Sequence, residues 1–202
     1  MEDSYRTFEK PAEGFYRDRN SRFLAFAYAV ESVEQVNEIL ALLRKKYHDA
    51  RHHCYAYRIN PEKEQYRMND DGEPSGTAGR PIYNQLVSNN LINALIVVVR
   101  YFGGTLLGTR GLINAYKSAA GDAINKGSVV TRYVENHYRL KFPYQNLNAV
   151  MKILKDENLN VTNARYEIEC TLDTRIRKSA SRLITEKLFA IGDIQVDLIQ
   201  TD

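Results

Sequence analysis

Tryptophan is absent from the 202 residues, and there are only two cysteines and five prolines. Cys54 and Cys170 lie far apart in the chain, which excludes a dense disulfide scaffold and leaves reduced thiols as the simple expectation. No apolar run exceeds residues 23–30 (FLAFAYAV), far short of the roughly 18 residues that argue for a membrane span. The polar first residues (MEDSYR) hold no apolar core, so no targeting segment and no membrane partner are expected, and the expected location is the cytoplasm. Charge of one sign is scarce as well. The net charge is +3, and it sits entirely in the first part of the chain: 18 Lys/Arg against 15 Asp/Glu through Val134, then 10 against 10 from Glu135 onward. Such a bias is compatible with RNA or phosphate binding and is not a decisive footprint.

Only eleven glycines occur, yet Gly72, Gly76, Gly79, Gly103, Gly104, Gly108 and Gly111 fall in two segments, 70–79 (DDGEPSGTAG) and 100–111 (RYFGGTLLGTRG). Glycine serves where φ is positive or a backbone approach is close, and it weakens helices and strands elsewhere. Its concentration in two stretches suggests a binding surface built from backbone amides.

Residues 21–30 read as a largely buried strand. Ser32-Val-Glu-Gln35 matches a capping box, with Val33, Val36, Ile39, Leu40 and Leu43 following at helical spacing to about residue 47. Residues 51–60 form a second strand, with His52, Cys54, Ala56 and Arg58 on one face and His53, Tyr55, Tyr57 and Ile59 on the other. Residues 65–69 pair back as a hairpin, and 81–88 form a short helix. Residues 93–101 (NALIVVVRY) are continuous and β-branched, which marks a central strand. Leu112, Ile113, Tyr116, Ala120 and Ile124 then outline a helix, capped by Thr109 and closed by Gly127 as its C′ residue. Thereafter come a strand at 134–142, a helix at 144–157, strands at 160–164 and 166–172, a helix at 174–191 and a strand at 193–200. The last helix turns Ile176, Ala180, Leu183, Ile184 and Leu188 inward, and the last strand alternates Ile194, Val196 and Leu198. This β-α-β-β-α-β order is the ferredoxin-like pattern. The expected organisation is α+β in two domains, residues 1–130 and 135–202.

The strand–glycine loop–helix order at 97–124 invites a phosphate-binding reading, with helix amides and a partial positive charge at the loop. The known nucleotide motifs fail: Thr109 stands where a Walker A loop needs lysine, and no G-x-G-x-x-G occurs. A loop that simply turns a tight corner is the plain alternative. Asp70, Asp71 and Glu73 could hold a metal or serve acid/base chemistry, or form an ordinary solvated turn. Thr77 is a candidate cap for the helix that follows. Strand alternation separates His52 and Cys54 from His53, which leaves too few ligands for a structural zinc; a packed, inert Cys54 is the simpler reading. Cys170 alternates with Ile168 and Leu172 and reads as core. Arg80, Arg100 and Arg110, with Tyr83, Tyr101 and Phe102 nearby in sequence, could pair with phosphates and stack on bases if exposed, or the aromatics could end a buried strand. No cofactor or resident metal is expected.

Residues 70–79, then Val97-Val98-Val99-Arg100-Tyr101-Phe102-Gly103-Gly104 and Leu107-Gly108-Thr109, together resemble the signature of the IMPACT family, with its YigZ-like bacterial members. Ser21-Arg22-Phe23 and Ala50-Arg51-His52-His53-Cys54 match further positions. The resemblance is dense in the N-terminal domain and extends to the C-terminal half in pattern only. It implies an N-terminal domain like domain 2 of ribosomal protein S5 and a ferredoxin-like C-terminal domain, as in elongation factors. It also implies a role near translation. Eukaryotic relatives act through an additional N-terminal partner-binding domain that has no counterpart in these residues, so their mechanism is not expected to carry over. The resemblance supplies no catalytic residues. Arg110 departs from the glycine common at its position.

The leading expectation is a non-enzymatic module that binds RNA or a ribosomal surface and modulates translation. Its contacts would be Gly76, Thr77, Arg80, Arg100, Tyr101, Gly103, Gly104, Gly108, Thr109 and Arg110. The alternative is a metal-dependent hydrolase or transferase acting on a phosphorylated or nucleotide substrate through Asp70, Asp71 and Glu73, with His52 or Cys54. A third reading is a protein partner held on the C-terminal sheet face.

Overall fold

The computed structural model describes residues 3–201; the first two residues of the polar N-terminus and Asp202 lie outside the described residues. The chain divides into a unit at Tyr5–Arg132 and a C-terminal unit at Tyr133–Asp202, which also takes in the segment Met1–Ser4. The fold is α+β throughout.

The N-terminal unit is built on β2 (Ala12–Asp18), β3 (Ser21–Ala29), β4 (His52–Ile59), β5 (Gln65–Asn69) and β6 (Ala94–Tyr101), which form an antiparallel sheet in the order β2-β3-β6-β4-β5. β1 (Ser4–Phe8) and β7 (Val129–Tyr133) pair as a separate ribbon. The apolar run of β6 follows from its place in the middle. Ala94, Ile96 and Val98 pack against α2 (Gly79–Ser88) and α3 (Gly108–Lys126), while Leu95, Val97 and Val99 pack under α1 (Val33–Lys46). All six are fully buried, and burying each of the larger ones is worth roughly 1.5–3 kcal/mol. α1 starts as the capping box predicts, with Ser32 Oγ accepting from the Gln35 amide; the Gln35 side chain reaches back one residue further, to the Glu31 amide. β1, β2 and β7 had no sequence signal. The inward positions of β2 are Ala12 and Gly14, too small to write an apolar alternation. Gly127 does close α3, but in extended backbone (φ −78°) rather than as a left-handed C′ residue; the requirement there is space, since a Cβ would lie 3.1 Å from Ala12 Cβ and the Ala123 carbonyl oxygen.

The C-terminal unit runs β8 (Glu135–Pro143), a 3-10 turn (Tyr144–Asn146), α4 (Leu147–Asp156), β9 (Val161–Arg165), β10 (Glu169–Arg177), α5 (Lys178–Phe189) and β11 (Gln195–Thr201). Its antiparallel sheet has the order β11-β8-β10-β9, the ferredoxin-like arrangement. Leu140, Phe142, Val150, Leu154, Cys170, Leu172, Ile176, Ile184 and Leu188 make its core. One boundary differs from expectation. Thr174–Arg177 continue β10 instead of opening a helix, paired with Tyr138, His137, Asn136 and Glu135 of β8. Ile176 sits four residues before Ala180, so it fits a helical stripe as well as a strand face, and ladder pairing decides the matter. Leu183 and Leu198, expected inward, are exposed.

α5 starts where a remote residue completes its N-terminus. Asp3 is buried, accepts from the Ser179 amide at 2.8 Å, and pairs with Arg177 through both oxygens, at 2.9 and 3.0 Å from Nε. The Arg177 guanidinium, itself stacked 3.8 Å over the Tyr133 ring, holds the Asp3 carboxyl far below the usual carboxylate range. A depressed folded pKa stabilises above the unfolded value near 3.9 and loses that contribution as pH falls below it. Asp3→Asn is therefore expected to cost about 2 kcal/mol at pH 7 and to speed amide exchange at Ser179, with the gap to wild type closing towards pH 3. Urea titrations and hydrogen exchange across that range measure both.

Candidate functional site

The two glycine segments meet at one end of the N-terminal sheet. β6 ends at Arg100 and Tyr101, and Arg100 pairs across the sheet with His52, the first residue of β4. Arg100 shares the face of Ile96 and Val98, so it points towards α3 and into the interior, where it is 5% exposed. A buried cation needs a carboxylate. Glu73 supplies it, with Arg100 Nη1 donating to Glu73 Oε1 at 2.5 Å. The same oxygen accepts from the Tyr116 hydroxyl of α3 at 2.7 Å, and His52 Nε2 stands 4.0 Å away. The guanidinium also lies 5.5 Å from the Phe23 and Phe102 rings. One carboxylate thus ties the first segment to the end of β6 and to α3. Arg100, expected as a phosphate partner, is committed inside the protein.

The other members of the acidic cluster go separate ways. Asp70 turns back over the start of α2 and accepts from the amides of Gly76, Ala78 and Gly79 at 2.8, 3.0 and 2.8 Å. It caps the helix in place of Thr77, whose hydroxyl donates to the Pro74 carbonyl oxygen instead. Asp71 accepts from the His53 amide at 2.7 Å and lies 3.3 Å from Arg44. His52 Nδ1 donates to the Asp71 carbonyl oxygen at 2.8 Å, which fixes its tautomer. Asp71 and Gly72 both have positive φ (+41° and +87°), so the chain reverses there and neighbouring carboxylates diverge. Among the described residues no three His, Cys, Asp or Glu side chains gather as a metal site requires. Cys54 is fully buried, donates to the Asp70 carbonyl oxygen at 3.0 Å and touches the Tyr116 hydroxyl at 3.3 Å. Burial pushes its thiol far up, away from the nucleophilic thiolate.

Tyr101 faces the other side of the sheet. Strand alternation sends it towards α1, where its hydroxyl donates to Asp49 at 2.7 Å and Arg22 lies over its ring at 4.9 Å. Burial pushes that hydroxyl up to about 12. It therefore does not share a surface with Arg110. Tyr83 is half-buried, with its ring 5.0 Å from Tyr66.

What faces outward is the backbone of the second segment and three cations. Gly103 is held close to the β2–β3 turn: its amide donates to Ser21 Oγ, and a Cβ would lie 2.2 Å from Ser21 N. Gly104 (φ +84°) and Gly108 (φ +71°) then turn the exposed loop. α3 begins at Gly108 with Leu107 in the cap position; no side chain caps it, and Thr109, expected there, is its second residue. Arg110 is exposed in its first turn, and Arg80 is exposed at the second residue of α2. Lys117, which the sequence reading missed, shares the α3 stripe of Arg110 at a spacing of seven residues, a signal the apolar periodicity obscured. None of the three makes a hydrogen bond or ion pair among the described residues.

Removing one partner of the buried pair leaves an uncompensated charge. Glu73→Gln and Arg100→Met are each expected to cost about 3–5 kcal/mol, and the double variant much less than the sum. Urea denaturation of the four proteins measures the coupling; additive losses would show that the pair is not the tie.

The model of the Impact N-terminal domain matches residues 19–124, more than half of the chain. IMPACT family member YigZ of Escherichia coli is 30% identical over 186 residues, spanning 90% of this chain and 91% of that protein. IMPACT family member YvyE of Bacillus subtilis is 30% identical over 198 residues, spanning 98% and 91%. A solved structure described only as that of a hypothetical protein superposes with a TM-score of 0.75 at 28% identity, over 99% of both chains. With the paired glycine segments at its centre, the chain belongs to the IMPACT family.

Proposed function

We propose that this protein is a non-enzymatic RNA- or ribosome-binding module of the cytoplasm that modulates translation. The observation that carries this reading is the pair of uncommitted arginines, Arg80 and Arg110. Each stands in the first turn of a helix that begins at a glycine segment, and the Glu73 tie holds those segments together. No acidic residue lies in the first turn of α3, whereas the first amides of α2 are already taken by the Asp70 carboxylate. The amides at the start of α3 carry the partial positive charge of a helix N-terminus, which favours phosphate. Membership of the IMPACT family supports a role near translation. No helix among the described residues is long and apolar enough to cross a membrane.

The hydrolase or transferase alternative required Asp70, Asp71 and Glu73 to face a common ligand. Asp70 caps α2, Asp71 holds the start of β4, and Glu73 neutralises Arg100. No observation favours that alternative over the binding reading.

Filter-binding titrations with RNA at 50–300 mM salt test the proposal. Affinity is expected to fall log-linearly with salt, and Arg110→Ala is expected to weaken binding and reduce the slope by roughly 0.7–0.9, the share of one phosphate contact. Undetectable or salt-insensitive binding, or an unchanged Arg110→Ala variant, would count against it.

A further inference from the structure

A cavity of about 560 Å³ opens between α2 and α3. Arg80, Pro81, Asn84 and Gln85 line it from α2, and Ile113 and Lys117 from α3. Residues 80 and 84 are one helical turn apart, as are 113 and 117, so each helix presents a stripe to the groove, and Arg110 extends the α3 stripe towards the glycine loop. No carboxylate lines the groove. Arg80, Asn84, Gln85 and Lys117 have no hydrogen-bond or ion-pair partner for their side chains among the described residues. On the open sheet face of the C-terminal unit, a cavity of about 490 Å³ is lined by Arg139, Lys141 and Arg165, but Arg139 is held by Asp173 at 2.7 Å and Lys141 faces Asp197 at 3.6 Å. The cations there are largely neutralised by their own neighbours, whereas those of the α2/α3 groove are not.

We propose that the α2/α3 groove binds single-stranded RNA, taking one unstacked base between Pro81 and Ile113, with Asn84 and Gln85 on the base edge and Arg80, Arg110 and Lys117 on the phosphates. This rests on the RNA-binding reading above and narrows it. Base and phosphate together match the lining: two apolar side chains, two amides that each offer a donor and an acceptor, and unpaired cations. The volume is that of a small-molecule pocket, which admits a base and excludes a helix. Base edges of an A-form duplex lie where side chains reach them poorly, so a groove furnished with free amides suits an unpaired strand. No aromatic residue lines the groove, so discrimination among bases comes from the amides and not from stacking.

Fluorescence anisotropy with the full chain tests this, using labelled ten-nucleotide oligo(A), oligo(C) and oligo(U), a duplex of equal length, and an oligoglutamate peptide as competitor. Single strands are expected to bind more tightly than the duplex and to differ among themselves by about tenfold. The Asn84→Ala/Gln85→Ala variant, altered only at groove-lining side chains without partners, should compress that spread to below about twofold and leave the salt slope intact. Lys117→Ala should weaken every strand alike and lower the slope by about 0.7. Equal binding of duplex and single strands, displacement of RNA by the acidic peptide at equal concentration, or an unaltered base preference in the double variant would overturn the groove assignment. If Arg110→Ala still weakened RNA in that last case, RNA binding would stand and only the groove would fall. If no RNA bound at all, both would fall.

Discussion

A single oxygen, Glu73 Oε1, organises the surface at which the two glycine segments meet. It neutralises a guanidinium that the strand register forces into the interior, and it accepts from the hydroxyl of a helix on the other side of the loop. Neither Arg100 nor Glu73 can leave without stranding the other in a medium that solvates charge poorly. Geometry is thereby imposed on backbone that glycine would otherwise leave free. The loops gain their positive-φ turns from glycine, and their mutual position from a charge pair beneath them.

That arrangement explains why so much carboxylate sits in so short a stretch. Asp70, Asp71 and Glu73 read in sequence as one acidic cluster. In space they are three separate fastenings, to α2, to β4 and to β6 with α3. The reversal at Asp71 and Gly72 sends their side chains apart. Proximity in sequence implies a shared site only where the backbone is regular. The cations behave in the opposite way: Arg80 on α2 is far along the chain from Arg110 and Lys117 on α3, yet the two helix faces bring them to one side of the unit.

Much of the fold was legible because its core elements bury long side chains with a clear period. β3, β4, β6, α1 and the β-α-β-β-α-β order of the C-terminal unit all announce themselves in this way. The edge strand β2 and the β1–β7 ribbon did not, since small or exposed residues carry no period. The candidate site was legible in part. Glycine density marked the two segments that the fold brings to one end of the sheet. Arg100 was misjudged although its face could be counted: it alternates with Val98 and Ile96, and a cation on an apolar face calls for a buried partner. Tyr101 follows from the same count, since its neighbour in sequence must face the opposite side. The caps were beyond reach, because Asp70 lies nine residues before Gly79 and Asp3 lies 176 residues before Ser179. Local spacing rules describe only caps that stand beside their helix.

The tie between Asp3 and α5 also bears on the order of events as the polypeptide is made. Asp3 is made 174 residues before Arg177 and 176 residues before Ser179. Domains ordinarily fold in turn as they emerge. Here the Tyr5–Arg132 unit can complete itself early, while Asp3 must stay uncommitted until Arg177 and Ser179 have been made. The β-α-β-β-α-β unit is therefore closed by a contact of very high sequence separation, set against the loop-closure entropy of a long intervening chain. By then that chain is already compact, because the folded first unit shortens the distance the ends must find. The first unit to fold thus serves as the tether that lets the second one finish.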